Sequence, residues 1–355
     1  MAAGHRTRAT LADVAARAGV ARGTASKALN GGGQLKPETR RKVLAAAEDL
    51  GFVASPLARG LVNGRSFAVG LLTSNTLGRF SIPVLQGADD ALTSGQMVIL
   101  LCDARADPVR ERHYLRTLVA RGVDGFIIAG HRTDPRPSVT ALVDVPVVYA
   151  YSPSDDPADG SIIPDDVHGG RIATEHLIAL GRRRICFVGG GEGFLASRRR
   201  LKGVEEALAA AGLELAAAPL FGRWHEVWGR QAATMLLDAR REFDAVVCAS
   251  DQIARGVLET LRDVGVAVPD EVAVIGFDNR EDVVTASRPE LTSIDLNLRR
   301  VGETAATRLV AMINGRDVAP GWEEIPCELS IRESTARTMT RSRSRAAPVG
   351  SAGNS

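Results

Sequence analysis

The chain has 355 residues, which is long enough for two or three domains, and its 45% hydrophobic and 24% charged content is ordinary for a soluble globular protein. No apolar run reaches the roughly 18 residues of a membrane span, and the first ten residues lack the apolar core of a signal peptide, so we expect neither insertion nor export. The net charge of +2 hides an asymmetry. Lys and Arg outnumber Asp and Glu ten to four in residues 1–62, which we call the head, whereas residues 63–335, which we call the body, are acidic. A basic head on an acidic body favours a phosphate-bearing partner.

The cysteines and histidines do not form the patterns of a metal or catalytic site. Three of the four cysteines lie inside apolar runs, and the six histidines form no close ligand pair. The run Gly189-Gly190-Gly191 lacks dinucleotide-binding spacing, and no Walker motif, nucleophile elbow or H-E-x-x-H occurs. We therefore expect a reduced, cytoplasmic protein with no disulfide framework, metal, cofactor or catalytic site. The cysteines are Cys102, Cys186, Cys248 and Cys327.

The first two predicted helices have the spacing of a helix-turn-helix. Thr10 is placed to cap the first helix, with Asp13 closing a capping box, and Gly19 ends it. A second helix runs from Ala21 or Arg22 to about Leu29. In a helix-turn-helix the second helix enters the major groove, although many helical hairpins share this pattern. The predicted outward positions of the second helix are Arg22, Gly23, Ser26 and Lys27, followed by Asn30.

A third helix and a very short fourth one follow. Pro37 opens the third helix and Gly51 ends it, and its predicted buried stripe is Val43, Leu44, Ala47 and Leu50. The fourth, in residues 55–62, has a Ser-Pro start but only about two turns, and such a helix is marginal in water. It should form only when something holds it.

These residues resemble the head of the lactose-repressor/galactose-repressor (LacI/GalR) family of bacterial transcription regulators. The resemblance is carried by TLADVAARAGVARGTASKALN, TRRKVLAAAEDLGF and SPLARGL. It implies a hinge helix that pairs with its copy on the minor groove, where Leu61 wedges between base steps. The alternative is that Leu61 docks a linker onto the body. By the same resemblance, Gly23 replaces a residue that usually bears a side chain, and Lys36 replaces a small hydroxyl cap.

The resemblance assigns DNA contacts residue by residue. Arg22, Gly23 and Lys27 fall on base-reading positions, where the two cationic side chains can donate to guanine. The remaining positions are assigned mainly to phosphate, which sets register without reading sequence. They are Thr10, Thr24, Ser26 and Asn30, with Arg59 in the hinge segment as a further DNA contact.

From Phe67 onward, apolar strand-like runs alternate with amphipathic helical segments. Buried runs that alternate with helices are typical of parallel α/β sheets. The helical segments are expected near 83–94, 108–121, 169–180, 196–212, 226–239, 251–264 and 298–313, and IPCELSIRES is expected to close the fold as one strand.

The body resembles the family's effector domain, which is similar to periplasmic sugar-binding proteins. The match is strongest in DDVHGGRIATEHLIALGRRRICFVGG and in CASDQIARGVLETLRDVGVAVPDEVAVIGFDN. It implies two α/β lobes with the ligand in the cleft at the strand carboxyl ends. We expect 66–163 with part of 293–322 in lobe one, and 164–291 with the last strand in lobe two.

The resemblance also implies a set of cleft residues. Arg200 falls on the ligand-gripping arginine, Asp278 on an acid that accepts from sugar hydroxyls, and Trp224 on a stacking position. Ser74 and Ser250 end two strands at the cleft. Each has a structural alternative: Arg200 as part of a solvated helix face, Trp224 as core, and Asp251, beside Ser250, as a helix cap.

Two departures from the family bear on the ligand. Ala150 and Leu296 replace polar cleft residues, which favours a less polar or differently shaped ligand than a simple hexose. The segment TLGRFSIP also differs from the family's aromatic-rich loop.

Together these features predict four regions: a helix-turn-helix DNA-binding domain (1–53), a hinge helix and linker (54–65), a two-lobed effector-binding and dimerisation domain (66–335), and a disordered tail (336–355). The predicted function is a cytoplasmic, nucleoid-associated repressor of carbohydrate-metabolism genes. It would act as a homodimer or higher on a near-palindromic operator, under control of a sugar-like effector. A sugar-binding protein of the cell envelope would need an export signal and no basic head, and a sugar-modifying enzyme would need an acid/base or nucleophile constellation.

Overall fold

The computed structural model describes residues 9–29, 34–52, 65–74, 78, 80–93, 95–239 and 242–336. Three helices form the head: α1 (Leu11–Ala18), α2 (Arg22–Leu29) and α3 (Pro37–Asp49). The predicted capping box is present, since Thr10 Oγ1 accepts from the Asp13 amide and Asp13 accepts from the Thr10 amide. Gly19 has φ 64°, a left-handed conformation that favours glycine.

The core of the head is small and differs in part from the predicted stripe. Val43 and Ala47 are buried as expected, but Leu44 and Leu50 are 48% and 36% exposed, so their predicted burial is wrong. Ala46 takes an inward position instead, because only one narrow stripe of α3 faces the two short helices. Lys36 precedes α3 without a side-chain capping bond, as expected. The buried set is Val14, Ala15, Ala25, Ala28, Val43, Ala46 and Ala47.

Several predicted features lie outside the described residues. They are Asn30, residues 54–64 of the predicted hinge and linker with Arg59 and Leu61, and the predicted tail from 337 onward.

The body contains two six-stranded sheets whose strand order follows from parallel β-α-β connections. The strands are β1 (Ala68–Thr73), β2 (Val98–Asp103), β3 (Gly125–Ala129), β4 (Val147–Ala150), β5 (Gly160–Asp165), β6 (Ile185–Gly189), β7 (Leu220–Phe221), β8 (Ala245–Cys248), β9 (Ala273–Phe277), β10 (Thr292–Asp295), β11 (Gly321–Pro326) and β12 (Glu328–Ser330). In the first sheet the order is β11-β5-β4-β3-β1-β2, and in the second it is β12-β10-β9-β8-β6-β7. All pairs are parallel except β10 with β12.

All seven helices predicted for the body are present, although the helix expected at 169–180 begins at Asp166, three residues earlier. A 3-10 turn (Thr140–Leu142) and a four-residue helix (Glu281–Val284) are additional. The body helices are α4 (Ser81–Thr93), α5 (Pro108–Ala120), α6 (Asp166–Ala179), α7 (Leu195–Ala210), α8 (Glu226–Asp238), α9 (Asp251–Asp263), α10 (Glu281–Val284) and α11 (Leu298–Ile313).

The assignment of the last strands to the lobes was partly wrong. The expected single closing strand divides at Cys327: β11 pairs with β5 in lobe one, whereas β12 pairs with β10 in lobe two. The chain therefore passes between the lobes after β5, between β10 and α11, and between β11 and β12. A local apolar pattern cannot show that two halves of one extended segment pair with different sheets.

Glycines allow close helix packing beneath each sheet. A Cβ on Gly170 of α6 would lie 2.1 Å from the carbonyl oxygen of Arg200 in α7, and one on Gly203 of α7 would lie 2.0 Å from that of Val167 in α6. This reciprocal contact fixes the position of α7, which carries Arg200, against α6.

Candidate functional site

The candidate DNA-reading surface is the outer face of α2. Arg22, Gly23 and Lys27 are exposed there, whereas Thr24 and Ser26 are half-buried. Ala25 and Ala28 face the core, so the helical repeat places the two basic side chains away from it. Thr10 is exposed, but its hydroxyl donates to Asp13 Oδ2 at 2.7 Å within the capping box. Its predicted phosphate contact would therefore compete with that hydrogen bond.

The candidate effector site is a cavity of about 290 Å³ between the lobes, which we call the interlobe cavity. It lies at the carboxyl ends of β3 and β4 in lobe one and of β9 in lobe two, where parallel α/β sheets bind ligands. Three of the five predicted cleft residues line it: Arg200, Trp224 and Asp278. The other lining residues are Phe80, His131, Arg132, Thr133, Asp134, Tyr151, Phe194 and Ala196.

Arg200 is the charged centre of this cavity and is only 2% exposed. Its Nε donates to Asp166 Oδ1 at 2.8 Å and its Nη1 donates to the carbonyl oxygen of Ala249 at 2.6 Å. The same Nη1 lies 3.6 Å from Asp278 Oδ1. Burial opposes a charged guanidinium, but the carboxylates of Asp166 and Asp278 outweigh it and raise the pKa of Arg200 above its ordinary value. Arg200 is thus a fixed cation, not part of a solvated helix face.

Aromatic rings form the walls of the cavity. Phe80 and Tyr151 stack with centroids 4.8 Å apart on the lobe-one side, and Phe194 meets Trp224 edge to face at 5.9 Å on the lobe-two side. The Arg200 guanidinium lies 5.9 Å from the centroid of Trp224. Rings beside a polar floor suit a flat molecule with apolar faces and hydroxyl edges.

The backbone is in a left-handed conformation at two of the lining residues. Tyr151 has φ 69° and Asp278 has φ 98°, values that residues with a Cβ rarely adopt. Such conformations persist where the surrounding structure holds them, and they are common at binding sites.

The segment 131–134 follows β3 and closes the cavity from lobe one. Asp134 Oδ1 accepts from the backbone N–H of Leu195 at 2.9 Å, so a lobe-one carboxylate caps α7 of lobe two. Phe194, at the N-cap position of α7, makes no side-chain capping bond. The Arg132 guanidinium also lies 5.8 Å from the Phe194 ring centroid. These contacts join the two lobes at the rim of the interlobe cavity.

Thr133 and His131 present polar groups in the same segment. Thr133 is 2% exposed, and its buried Oγ1 has no hydrogen-bond partner among the described residues. Buried hydroxyls are normally paired, and Thr133 lines the interlobe cavity, so its Oγ1 is available to hydrogen-bond a ligand group. His131 Nδ1 lies 2.8 Å from Ser74 Oγ, and burial lowers the pKa of His131, which favours its neutral form.

The two predicted serines lie elsewhere. Ser74 does not line the interlobe cavity; it lines a second, larger cavity in lobe one and contacts His131, which lines both. Ser250 is fully buried and caps α9 by accepting from the Ile253 amide at 3.3 Å, so it does not line the interlobe cavity. A strand-end serine followed by a helix has its hydroxyl within reach of the helix amides, and here this local bond prevails.

Asp251 is also structural, although it is not the cap. Its carboxylate accepts from Ser293 Oγ at 2.5 Å and from the Arg280 amide at 2.7 Å. Burial and the neighbouring Asp278 raise the pKa of Asp251.

The lobe-one half of the site was missed by sequence reasoning. Phe80, Thr133, Asp134 and Tyr151 all follow strands or lie in the loop that differs from the family. A usable signal was present, since HRTD follows the buried strand GFIIA after a single glycine, and Tyr151 comes directly after VVYA. Ala150 and Leu296, which by the resemblance replace polar cleft residues, are buried, and neither lines the interlobe cavity.

In the described part of the chain, no group of three or more His, Cys, Asp or Glu side chains is arranged to hold a metal ion. No helix within the described ranges is long and apolar enough to cross a membrane.

Two family models match the chain. The model described as bacterial regulatory proteins, lacI family, matches residues 10–55, and a periplasmic binding protein-like domain matches residues 174–335. The first covers the three-helix head, and the second covers lobe two with the last crossings.

Known proteins match along nearly the whole chain. The HTH-type transcriptional regulator CelR of Thermobifida fusca is 36% identical over 339 residues, which cover 93% of this chain and 99% of CelR. A solved transcriptional regulator CelR–cellobiose complex is 32% identical, with a TM-score of 0.63 over 92% of this chain and 100% of that one. The lac repressor dimer bound to operator and the anti-inducer ONPF is 27% identical, with a TM-score of 0.71 over 93% and 99%. This chain therefore belongs to the LacI family of bacterial regulatory proteins, and it is a ligand-responsive, DNA-binding transcription regulator rather than an enzyme.

Proposed function

We propose that this regulator is a repressor of carbohydrate-metabolism genes that binds a near-palindromic operator as a homodimer. Its operator affinity is set by a small neutral carbohydrate in the interlobe cavity. The observation that carries the proposal is the buried Arg200, held between Asp166 and Asp278 in a cavity walled by aromatic rings.

The head supports sequence-specific reading by α2. Arg22 and Lys27 are exposed on a helix whose sequence RGTASKAL contains no acid, so no side chain of α2 repels phosphate. We assign base contacts to these two side chains and close backbone approach to Gly23. Thr24, Ser26, Thr10 and Asn30 remain proposed phosphate contacts, and Arg59 and Leu61 remain proposed minor-groove contacts on sequence grounds alone.

An apolar surface on lobe one supports dimer formation. Strand β2 lies at the edge of its sheet, and its Val98 and Leu101 are 56% and 41% exposed. Ile82 at the start of α4 is 44% exposed. An edge strand with exposed apolar side chains needs a covering partner, and a second copy of this chain would also bring two heads onto two half-sites. Such a regulator acts on the chromosome, so we place it in the cytoplasm with the nucleoid.

The cavity supports a neutral carbohydrate as effector. The Arg200 guanidinium already faces two carboxylates, so little positive charge remains for an anionic ligand. Asp278 accepts and Arg200 donates to hydroxyls, Thr133 Oγ1 serves a further hydroxyl, and Trp224 covers an apolar sugar face. Because a relative was solved with cellobiose, cellobiose is the first probe.

Operator binding is tested by fluorescence anisotropy on DNA from the gene's own promoter region, across a salt series. Arg22→Ala should weaken operator binding by about 1–3 kcal/mol and weaken binding to scrambled DNA less. Arg17→Ala is the matched control, because it removes the same charge from α1, where Arg17 pairs with Asp49 at 3.1 Å. The absence of salt-sensitive, sequence-specific binding would remove the proposal.

The effector is tested in the same assay by adding cellobiose and then a panel of other neutral sugars. A sugar that shifts the operator dissociation constant in either direction supports the proposal, and the direction identifies it as inducer or corepressor. Constant operator affinity across the whole panel would contradict carbohydrate control.

A further inference from the structure

A second cavity, which we call the lobe-one cavity, adjoins the interlobe cavity. It has a volume of about 520 Å³, and all its lining residues belong to lobe one. Ser74, Ala104 and Gly130, which directly follow β1, β2 and β3, and Ser152, two residues after β4, contribute to it, so it lies at the carboxyl edge of the first sheet. His131, Arg132 and Asp134 line both cavities. The two spaces therefore meet along the segment 131–134.

The charges of the lobe-one cavity are balanced. Its lining includes three guanidinium groups and three carboxylates, which does not favour an anion such as a phosphate ester. Glu111 and Arg136 pair at 2.7 Å with side chains only 15% and 20% exposed. Ser74 and His131 form a second donor–acceptor pair. The charged groups are Asp107, Glu111, Arg112, Arg132, Asp134 and Arg136.

The far wall of this cavity is held by buried hydrogen bonds. Tyr149 Oη accepts from the Val139 amide at 2.7 Å, and Ser138 Oγ donates to Asp159 at 2.7 Å. Burial raises the pKa of Asp159, but hydrogen bonds from the surrounding hydroxyls lower it by more, so its pKa lies below the ordinary value. The carboxylate therefore stays charged as an acceptor. A wall fixed in this way loses little conformational entropy when a ligand binds.

The two cavities differ in chemistry in a way that suits two parts of one ligand. The interlobe cavity has Phe80, Tyr151, Phe194 and Trp224 for stacking, whereas the described lining of the lobe-one cavity has no aromatic ring other than His131. The first can grip one sugar ring by its faces, and the second can bind hydroxyls along the edge of another. We infer that the effector is an oligosaccharide of at least two units, with one unit in the interlobe cavity and the next in the lobe-one cavity; this rests on the proposed carbohydrate control.

The inference is tested by calorimetric titration of the full chain with glucose, cellobiose and cellotriose. Ala106 lines the lobe-one cavity from its exposed rim, so Ala106→Trp would fill the space without disturbing a core. Arg105→Trp is the matched control: the neighbouring residue is also exposed and also has positive φ (51° against 54°), but it does not line the cavity.

Wild-type protein should bind cellobiose at least about tenfold more tightly than glucose. Ala106→Trp should lower cellobiose and cellotriose affinity by about tenfold or more and leave glucose within about twofold, while Arg105→Trp changes none of them. Glu111→Gln, which removes one charge of the buried pair, should give the same length-dependent loss. Equal binding of glucose and cellobiose, or an Ala106→Trp protein that binds all three sugars like wild type, would overturn the inference while leaving carbohydrate control intact. If no sugar binds and none changes operator affinity, the proposed carbohydrate control fails and the inference fails with it.

Discussion

At the residue scale, the most consequential side chain is one that the sequence did not single out. Asp134 belongs to lobe one but caps α7 of lobe two, and α7 carries the buried Arg200. A capping carboxylate at a helix N-terminus satisfies a backbone N–H and meets the positive end of the helix dipole. Because this contact crosses the cleft, it stabilises the arrangement in which the interlobe cavity is enclosed.

Asp134→Ala should therefore lower the affinity for the effector more than it lowers the free energy of unfolding. Loss of a cap costs about 1 kcal/mol, which corresponds to roughly fivefold in affinity. Calorimetry with cellobiose measures the loss, and urea unfolding measures stability. Asp134→Asn keeps an acceptor oxygen and should retain most of the affinity; wild-type binding by the alanine variant would show that the cap does not contribute to the bound state.

At the element scale, α6 and α7 pack closely enough that a glycine is needed where they cross. The Arg200 carbonyl lies at the place where a Cβ on Gly170 would be, and Asp166 at the start of α6 binds the Arg200 side chain. The same crossing therefore sets both the backbone and the side-chain position of Arg200. Packing between two helices and the geometry of the effector site are in this way a single structural feature.

Gly170→Ala should destabilise the protein by about 1–3 kcal/mol through overpacking. Replacing glycine by alanine within a helix would otherwise stabilise the helix by about 0.5–1 kcal/mol. A decrease in the free energy of unfolding would therefore indicate a clash between the added Cβ and the Arg200 carbonyl oxygen. Urea unfolding gives the free energy, and calorimetry should show weaker cellobiose binding because Arg200 is displaced. The control is Gly193→Ala, at an exposed position where an added Cβ meets nothing within 4 Å. A Gly170→Ala protein at least as stable as wild type would contradict the close crossing.

At the scale of the whole molecule, α11 connects the lobe crossings to the end of the hinge segment. It begins at Leu298, directly after the crossing residue Asn297, and ends at Ile313. Arg65, the last residue of the predicted hinge and linker (54–65), donates from Nη1 to Asn314 Oδ1 at 2.7 Å and from Nη2 to the Ile313 carbonyl. Asp124 also accepts from the amides of Ser66 and Phe67. A change at the crossings can thus reach the hinge through one rigid helix.

Arg65→Ala should reduce the coupling between effector and operator without removing either binding function. The coupling free energy between effector and operator binding, typically about 1–3 kcal/mol in allosteric proteins, would fall toward zero. The operator affinities with and without cellobiose would therefore converge. Anisotropy titrations at saturating cellobiose measure the ratio, and calorimetry should give a cellobiose affinity within about twofold of wild type. Arg105→Ala removes another lobe-one arginine and should leave the ratio unchanged. If the ratio of operator affinities with and without cellobiose were unchanged in Arg65→Ala, the contact between Arg65 and the end of α11 would not transmit the effector signal.

Much of the fold follows from the sequence because it is encoded locally. The capping box at Thr10, the glycine stop at Gly19 and the alternation of apolar strands with amphipathic helices each depend on residues a few positions apart. Arg200, Trp224 and Asp278 were assigned by position from the resemblance of the body to the family's effector domain. The sequence by itself therefore determined the class of protein, the two-lobed architecture and three of the lobe-two residues that line the candidate site.

Only the tertiary structure decided how distant segments meet. It divided the closing segment between two sheets at Cys327 and brought Asp134 to α7 across the cleft. It also joined the lobe-one cavity to the interlobe cavity along the segment 131–134. These outcomes depend on pairing and packing between residues that are tens of positions apart in the chain. The free energy of such contacts comes from burial and from the hydrogen bonds that burial requires, and neither is visible in a local pattern.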